Sequence, residues 1–171
     1  PALIQGSKQV SPETVDEKEN QRAIARFILE EMQPDGTYIL GPGTTIKTIA
    51  ELLGVKKTVL GVDLYQKGKV LLDVDERKIL EKVEDWQKTW IILSPIGHQG
   101  ILLGRGNQQI SPNVIRKVGG KKNIIVIATW RKIRNLDVLR VDTGDEEVDN
   151  MLRNYIKVIV DYHDAVMMKV V

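Results

Sequence analysis

The chain has no cysteine, which excludes a disulfide framework and any thiolate metal site and suits a reducing compartment. Its two histidines, His98 and His163, are far apart in sequence, so no dedicated metal centre is expected. No apolar run approaches the roughly 20 residues a membrane-spanning helix needs, and the N-terminus lacks the layout of a signal peptide. An excess of one charge is missing too. Lys and Arg number 25 against 23 Asp and Glu, a net charge of +2, and the two signs are interspersed. No basic face suited to nucleic acid stands out. The nearest thing to one, Arg131-Lys132-Ile133-Arg134, reads as a solvated loop. A cytoplasmic protein with neither a nucleic-acid nor a membrane partner is expected.

What is present is an ordinary soluble composition, 42% hydrophobic and 28% charged over 171 residues, enough for one domain with a real core. Residues 1–10 read as an extended arm, leaving residues 11–171 as a single α/β domain. Ser11-Pro12 starts a helix whose apolar face is Ile24, Phe27, Ile28 and Met32, and Pro34-Asp35-Gly36 stops it. The pattern predicts strands at 37–40, 58–65, 70–72, 90–93, 101–103 and 123–128, a short edge strand at 139–141, and a closing strand at 165–171. Helices are predicted at 45–53 with Gly54 as its stop, from Asp75 through Val83, and from Ser111-Pro112 to about Val118. The capping-box spacing of Thr143-Gly144-Asp145-Glu146 predicts a last long helix through about Val160. Helices alternate with continuous apolar strands such as NIIVIA. That combination implies a largely parallel sheet with helices on both faces, Rossmann-like in class.

In such a sheet ligands bind in the crevice outside the carboxyl ends of the strands. The polar and glycine residues gather after the predicted strands, on one expected rim. Gly41, Pro42, Gly43, Thr44 and Thr45 offer backbone N–H groups, two hydroxyls and a helix N-terminus to an anion. A tight turn with a Thr cap explains the same five residues. In GRGNQQISP, Gly104 and Gly106 let the backbone approach a ligand, and Arg105 between them can fork a phosphate or carboxylate. Asn107, Gln108 and Gln109 then present amides that donate and accept, as reading a base or carboxamide edge requires; a loop satisfying its own backbone is the other reading. Asp63 comes directly after the apolar 58–62 part of its strand and His98 lies in the loop after strand 90–93, where it could be a general acid or base or merely a hydrogen-bonding loop residue. Asp142, Thr143, Gly144 and Asp145 could hold hydrated Mg²⁺ or a ribose hydroxyl, although helix capping accounts for Asp145.

The order ILGPGTT, GVDLY, SPIGHQGILLGRGNQQISPNVI, NIIVIAT and LRVDTGD resembles the C-terminal part of the ATP- or polyphosphate-dependent NAD kinases found mainly in archaea and some bacteria. The resemblance covers nearly the whole chain. It implies a phosphotransferase that moves a phosphoryl group from ATP or polyphosphate, with Mg²⁺, to the 2′-hydroxyl of NAD's adenosine ribose, with NAD as substrate. In that family an N-terminal domain carrying Gly-Gly-Asp-Gly-Thr grips the donor. No such motif occurs here, so the chain is expected to be the C-terminal part of a longer kinase, acting as a homo-oligomer on a small-molecule nucleotide. Asp63 and Asp142 are the candidates for the acidic group near the accepting hydroxyl, with His98 as the third catalytic candidate. The strand–GPGTT–helix opening is also similar to the phosphate loops of sugar-phosphate isomerases and of sugar-sensing repressor domains. Two alternatives follow: an isomerase in which Asp63 or His98 moves a proton, and a non-catalytic sensor of phosphorylated metabolites.

Overall fold

Four strands rich in buried apolar residues form the centre of the molecule: β1 (Thr37–Leu40), β4 (Thr89–Leu93), β6 (Ile124–Ile127) and β8 (Asn154–Asp161). They run parallel, in register at Ile39↔Ile91, Ile91↔Ile124 and Val126↔Val158. The hairpin β2 (Asp63–Gln66) and β3 (Lys69–Leu71) joins β1 antiparallel on one side, and β9 (Asp164–Val170) joins β8 antiparallel on the other. The sheet is seven-stranded, in the order β3-β2-β1-β4-β6-β8-β9. The computed structural model describes residues 12–105 and 108–171. The arm expected at residues 1–10 and the Ser11 cap lie outside that range.

Successive strand residues point to opposite faces, and both faces are covered. Ile39, Ile91, Val126 and Val158 pack with Ile79 of α3 (Glu76–Lys82), Val114 and Ile115 of α4 (Pro112–Val118) and Val148 of α6 (Glu146–Leu152). Leu40, Ile92, Ile127 and Ile159 pack with Ile24 and Ile28 of α1 (Pro12–Glu31) and with Ile46 and Ile49 of α2 (Thr44–Leu53). This is the α/β architecture expected. Helix limits follow their caps: Asp75 accepts from the Lys78 N–H, Ser111 accepts from the Val114 N–H, and Gly54 closes α2 at φ 75°.

The structure differs from expectation in four places. Tyr155 to Val160 do not continue a helix: α6 ends at Leu152 and the chain enters β8. Both a three-to-four and a two-residue apolar period fit this stretch, and pairing with β6 and β9 decides for the strand. Residues 58–62 are irregular, and the strand predicted over 58–65 starts only at Asp63. The basic run 131–134 is helical, in α5 (Trp130–Arg134), capped by Thr129. Finally, β5 (Ile101–Leu103) and β7 (Arg140–Val141) pair in parallel with each other as a separate two-stranded sheet. That small sheet is fastened to the C-terminus by Leu139 N–H to Lys169 C=O at 2.8 Å and Val141 N–H to Val171 C=O at 3.1 Å.

From β1 the chain passes through α2 to β2 on one side, and from β3 through α3 to β4 on the other. The direction of winding therefore reverses between β1 and β4, where an open α/β sheet has its crevice.

Candidate functional site

The loop after β1 meets the loop after β4 at this reversal. Gly41 is held against the sheet: its N–H donates to Ile92 C=O at 2.9 Å, and a Cβ there would lie 3.1 Å from that same oxygen. Gly41 is thus explained by strand packing. Gly43 is different. Its φ of 128° and ψ of 153° are open to essentially glycine alone, and the space around it is not crowded, since a Cβ there would meet nothing nearer than Ser94 Cβ at 3.7 Å. It caps α2 with no side-chain hydrogen bond, so the first N–H groups of that helix receive no side-chain cap. The buried Gln21 side chain of α1 donates to the hydroxyl oxygens of exposed Thr44 and buried Thr45, at 3.0 and 3.2 Å.

A cleft of about 720 Å³ opens beside this loop, and its lining joins segments that are distant in sequence. Pro42 comes from the glycine loop, Leu60 and Val62 from the loop before β2, and Ile96 and Gln99 from the turn after β4. Gly104, Arg105 and Gln109 come from the β5–α4 loop, and Arg140 and Asp142 from β7 and its end. The two stretches GPGTT and GRGNQQ, far apart in the chain, therefore contribute to one cleft. Arg105 donates through Nε to Asp142 Oδ1 at 3.1 Å, with both side chains about 70% exposed, at 72% and 68%. Arg140 also lines the cleft, and among the described residues it has no carboxylate within ion-pair distance. Gly106 and Asn107 lie outside the described residues. Gln108 is exposed and faces a neighbouring hollow with Asp75, Glu76, Arg77 and Gln109.

Gly144 stands beside Arg105, where a Cβ would lie about 4.0 Å from the guanidinium carbon. The Thr143 hydroxyl and N–H both donate to the buried Asp149 carboxylate, at 2.7 and 3.0 Å, so Thr143 is occupied in holding its own loop. Asp145 caps α6 and pairs with Arg116 at 2.9 Å. The Val148 N–H and then Arg116 hold its carboxyl below the ordinary value.

The three acid–base candidates are not brought together. Asp63 is fully buried and every contact of its carboxylate is made within the chain, with Lys57 Nζ at 2.5 Å, the Thr58 N–H and hydroxyl, and the Asp73 N–H. His98 is exposed and lines a separate hollow of about 170 Å³ with Glu17, Arg131 and Lys132. Asp142 alone of the three lines the cleft. The 94–100 loop, expected on the rim, brings Ile96 and Gln99 to the cleft, whereas Arg140 and Leu60 were not expected there. Arg140 carried a signal, since it is the second residue of the LRVDTGD stretch; nothing marked Leu60, because its neighbours read as a strand.

Among the described residues no group of three or more His, Asp or Glu is arranged to hold a metal. Asp142, the one side-chain carboxylate among the described residues lining the cleft, would suit Mg²⁺, an ion commonly held by one or two carboxylates together with substrate oxygens and water. No helix among the described residues is long and apolar enough to cross a membrane.

A family model described as the ATP-NAD kinase C-terminal domain matches residues 34–170. Comparison with curated proteins and with solved structures gave no match.

Proposed function

This chain belongs to the ATP-NAD kinase C-terminal domain family, and from that premise we propose that its cleft binds a phosphorylated nucleotide during phosphorylation of NAD by ATP or polyphosphate. The observation that carries this reading is the meeting of Pro42, Arg105, Gln109 and Asp142 in one cleft of about 720 Å³, a volume within the usual range for small-molecule sites. The uncapped N-terminus of α2 and the two arginines supply positive potential for phosphate. Gln109 and Gln99 supply amides that can read a base or carboxamide edge.

In the transfer itself a ribose hydroxyl oxygen forms a bond to phosphorus while the bond to the donor's leaving oxygen breaks, and the hydroxyl proton departs. Such chemistry depends on positioning and on neutralising charge. Arg105 and Arg140 are assigned the charge. Asp142 is assigned the acceptor side, either receiving the proton or holding Mg²⁺, which would neutralise the phosphates. A bound phosphate would compete with Asp142 for Arg105, freeing the carboxylate for that role. Neither Asp63 nor His98 lines the cleft, so an isomerase relying on either as its base is the weaker reading.

Calorimetric titration with NAD, NADP, ATP and polyphosphate tests this, followed by turnover assays with Mg²⁺ on the longest natural chain that contains the domain. Binding of a nucleotide with micromolar to sub-millimolar Kd is expected. Failure of all four to bind at millimolar concentration would end the reading.

A further inference from the structure

We propose that the buried Lys57–Asp63 pair is a positioning device, which holds Leu60 at the mouth of the cleft so that Leu60 and Ile96 form an apolar seat for the planar ring of the nucleotide. The inference rests on the nucleotide reading above and specifies how the non-phosphate part is held. Both charges of the pair have no exposed side-chain surface. The ammonium group uses all three of its protons, on Asp63 Oδ2 at 2.5 Å, Gly61 C=O at 2.9 Å and Thr58 C=O at 3.1 Å. On the carboxylate side, Thr58 donates through both N–H and hydroxyl, and the Asp73 N–H donates at 2.7 Å. Gly61 is part of the same clasp, since a Cβ there would lie 2.7 Å from Thr58 Oγ1 and 2.8 Å from Asp73 Oδ1.

Burying two charges is costly and rarely raises stability over an apolar pair; its best-attested use is to fix one conformation. What is fixed here is a loop whose tip points away from the core. Leu60 is 85% exposed, and Ile96, across the chain in the turn after β4, is 45% exposed. Both line the same cleft as Arg105 and Arg140. Exposed leucine on a mobile loop would collapse onto any apolar surface; on a clasped loop it stays presented, and no ordering cost falls due when a ligand arrives. Apolar side chains next to two guanidinium groups match a ligand that is flat and apolar at one end and anionic at the other. A second copy of the chain would bring its own backbone and charges to those arginines, and is the less complementary occupant.

The experiment compares ATP and NAD with tripolyphosphate, which has the charge and no ring. Leu60→Ala is expected to weaken the nucleotides about threefold to tenfold and to leave tripolyphosphate unchanged. Arg140→Met is expected to weaken all of them. Gly61→Ala touches no ligand, yet by disturbing the clasp it should reproduce the selective loss seen with Leu60→Ala; a merely structural role would lower its melting temperature and leave the ratio of affinities where it was. Unchanged nucleotide affinity in Leu60→Ala, with wild type binding nucleotide normally, would overturn the ring seat while leaving the nucleotide reading intact. A fall in particle mass in Leu60→Ala at constant affinity would overturn it in favour of a self-association surface. Wild type that binds tripolyphosphate but no nucleotide would overturn both.

Discussion

At the scale of single residues, two ion pairs with the same chemistry do opposite work because their surroundings differ. Lys57–Asp63 is sealed from water, whereas Arg105 and Asp142 are 72% and 68% exposed. Removing one member of a sealed pair leaves a buried charge without a partner. Lys57→Met should therefore destabilise the fold by about 3–5 kcal/mol, measurable as a lower denaturant midpoint, and Lys57→Met with Asp63→Leu should recover much of it. The exposed pair contributes about 0.2–1 kcal/mol to folding. Arg105→Ala should thus melt close to wild type while losing roughly 1.5–3 kcal/mol of nucleotide binding, about tenfold to a hundredfold in Kd. A clear drop in melting temperature with normal binding would reduce Arg105 to scaffolding. Sequence alone picked out Asp63 and Asp142 on equal terms, as acids following strands. Their burial depends on Thr58, Gly61 and Asp73 folding around one and not the other, and no local pattern encodes that.

The elements themselves were legible where one local rule dominated. Ser111-Pro112, Asp75 and Gly54 mark helix ends with caps that the structure reproduces, and the unbroken apolar runs mark the central strands. The last third was less legible, because Asp145 caps a helix of only seven residues before β8 begins, and strand pairing overrides the helical period. That cap gives a pH prediction. The folded carboxyl of Asp145 lies below its ordinary value of 3.8, so its contribution is present above the unfolded value and is lost as pH falls through the folded one. Asp145→Asn should accordingly flatten the dependence of stability on pH below about 4, while leaving the shape of the curve near neutrality unchanged; an identical acid limb in both proteins would show that the Val148 and Arg116 bonds do not matter. Gly43 is the other element-scale test. Its φ of 128° makes Gly43→Ala cost on the order of 1–3 kcal/mol of stability, and if α2 also points at phosphate, tripolyphosphate affinity should fall with it.

For the whole molecule, the decisive feature is that the cleft is assembled from both halves of the chain. Pro42 and Leu60 come from the β1–β2 side, while Arg140, Asp142 and Val171 come from the small sheet tied to the C-terminus. A rim at the strand ends was legible, because glycines and amides clustered there. The departure of β5 and β7 from the main sheet, which carries Arg105 and Arg140 to the β1 loop, was not. It depends on the long-range bonds of Leu139 and Val141 to the last residues. A ligand that bridges these parts must stabilise the fold as a unit. At a hundred times its Kd it should add about 2.7 kcal/mol, which for a chain of this size raises the melting temperature by roughly 5–10 °C. The gain should appear as an upward shift of one transition. Hydrogen exchange should locate it, with added protection both at residues 42–45 and at residues 139–142. Protection confined to one of these segments would mean that the ligand occupies one wall only, and that the meeting of the GPGTT and GRGNQQ stretches in a single cleft serves the fold rather than the nucleotide.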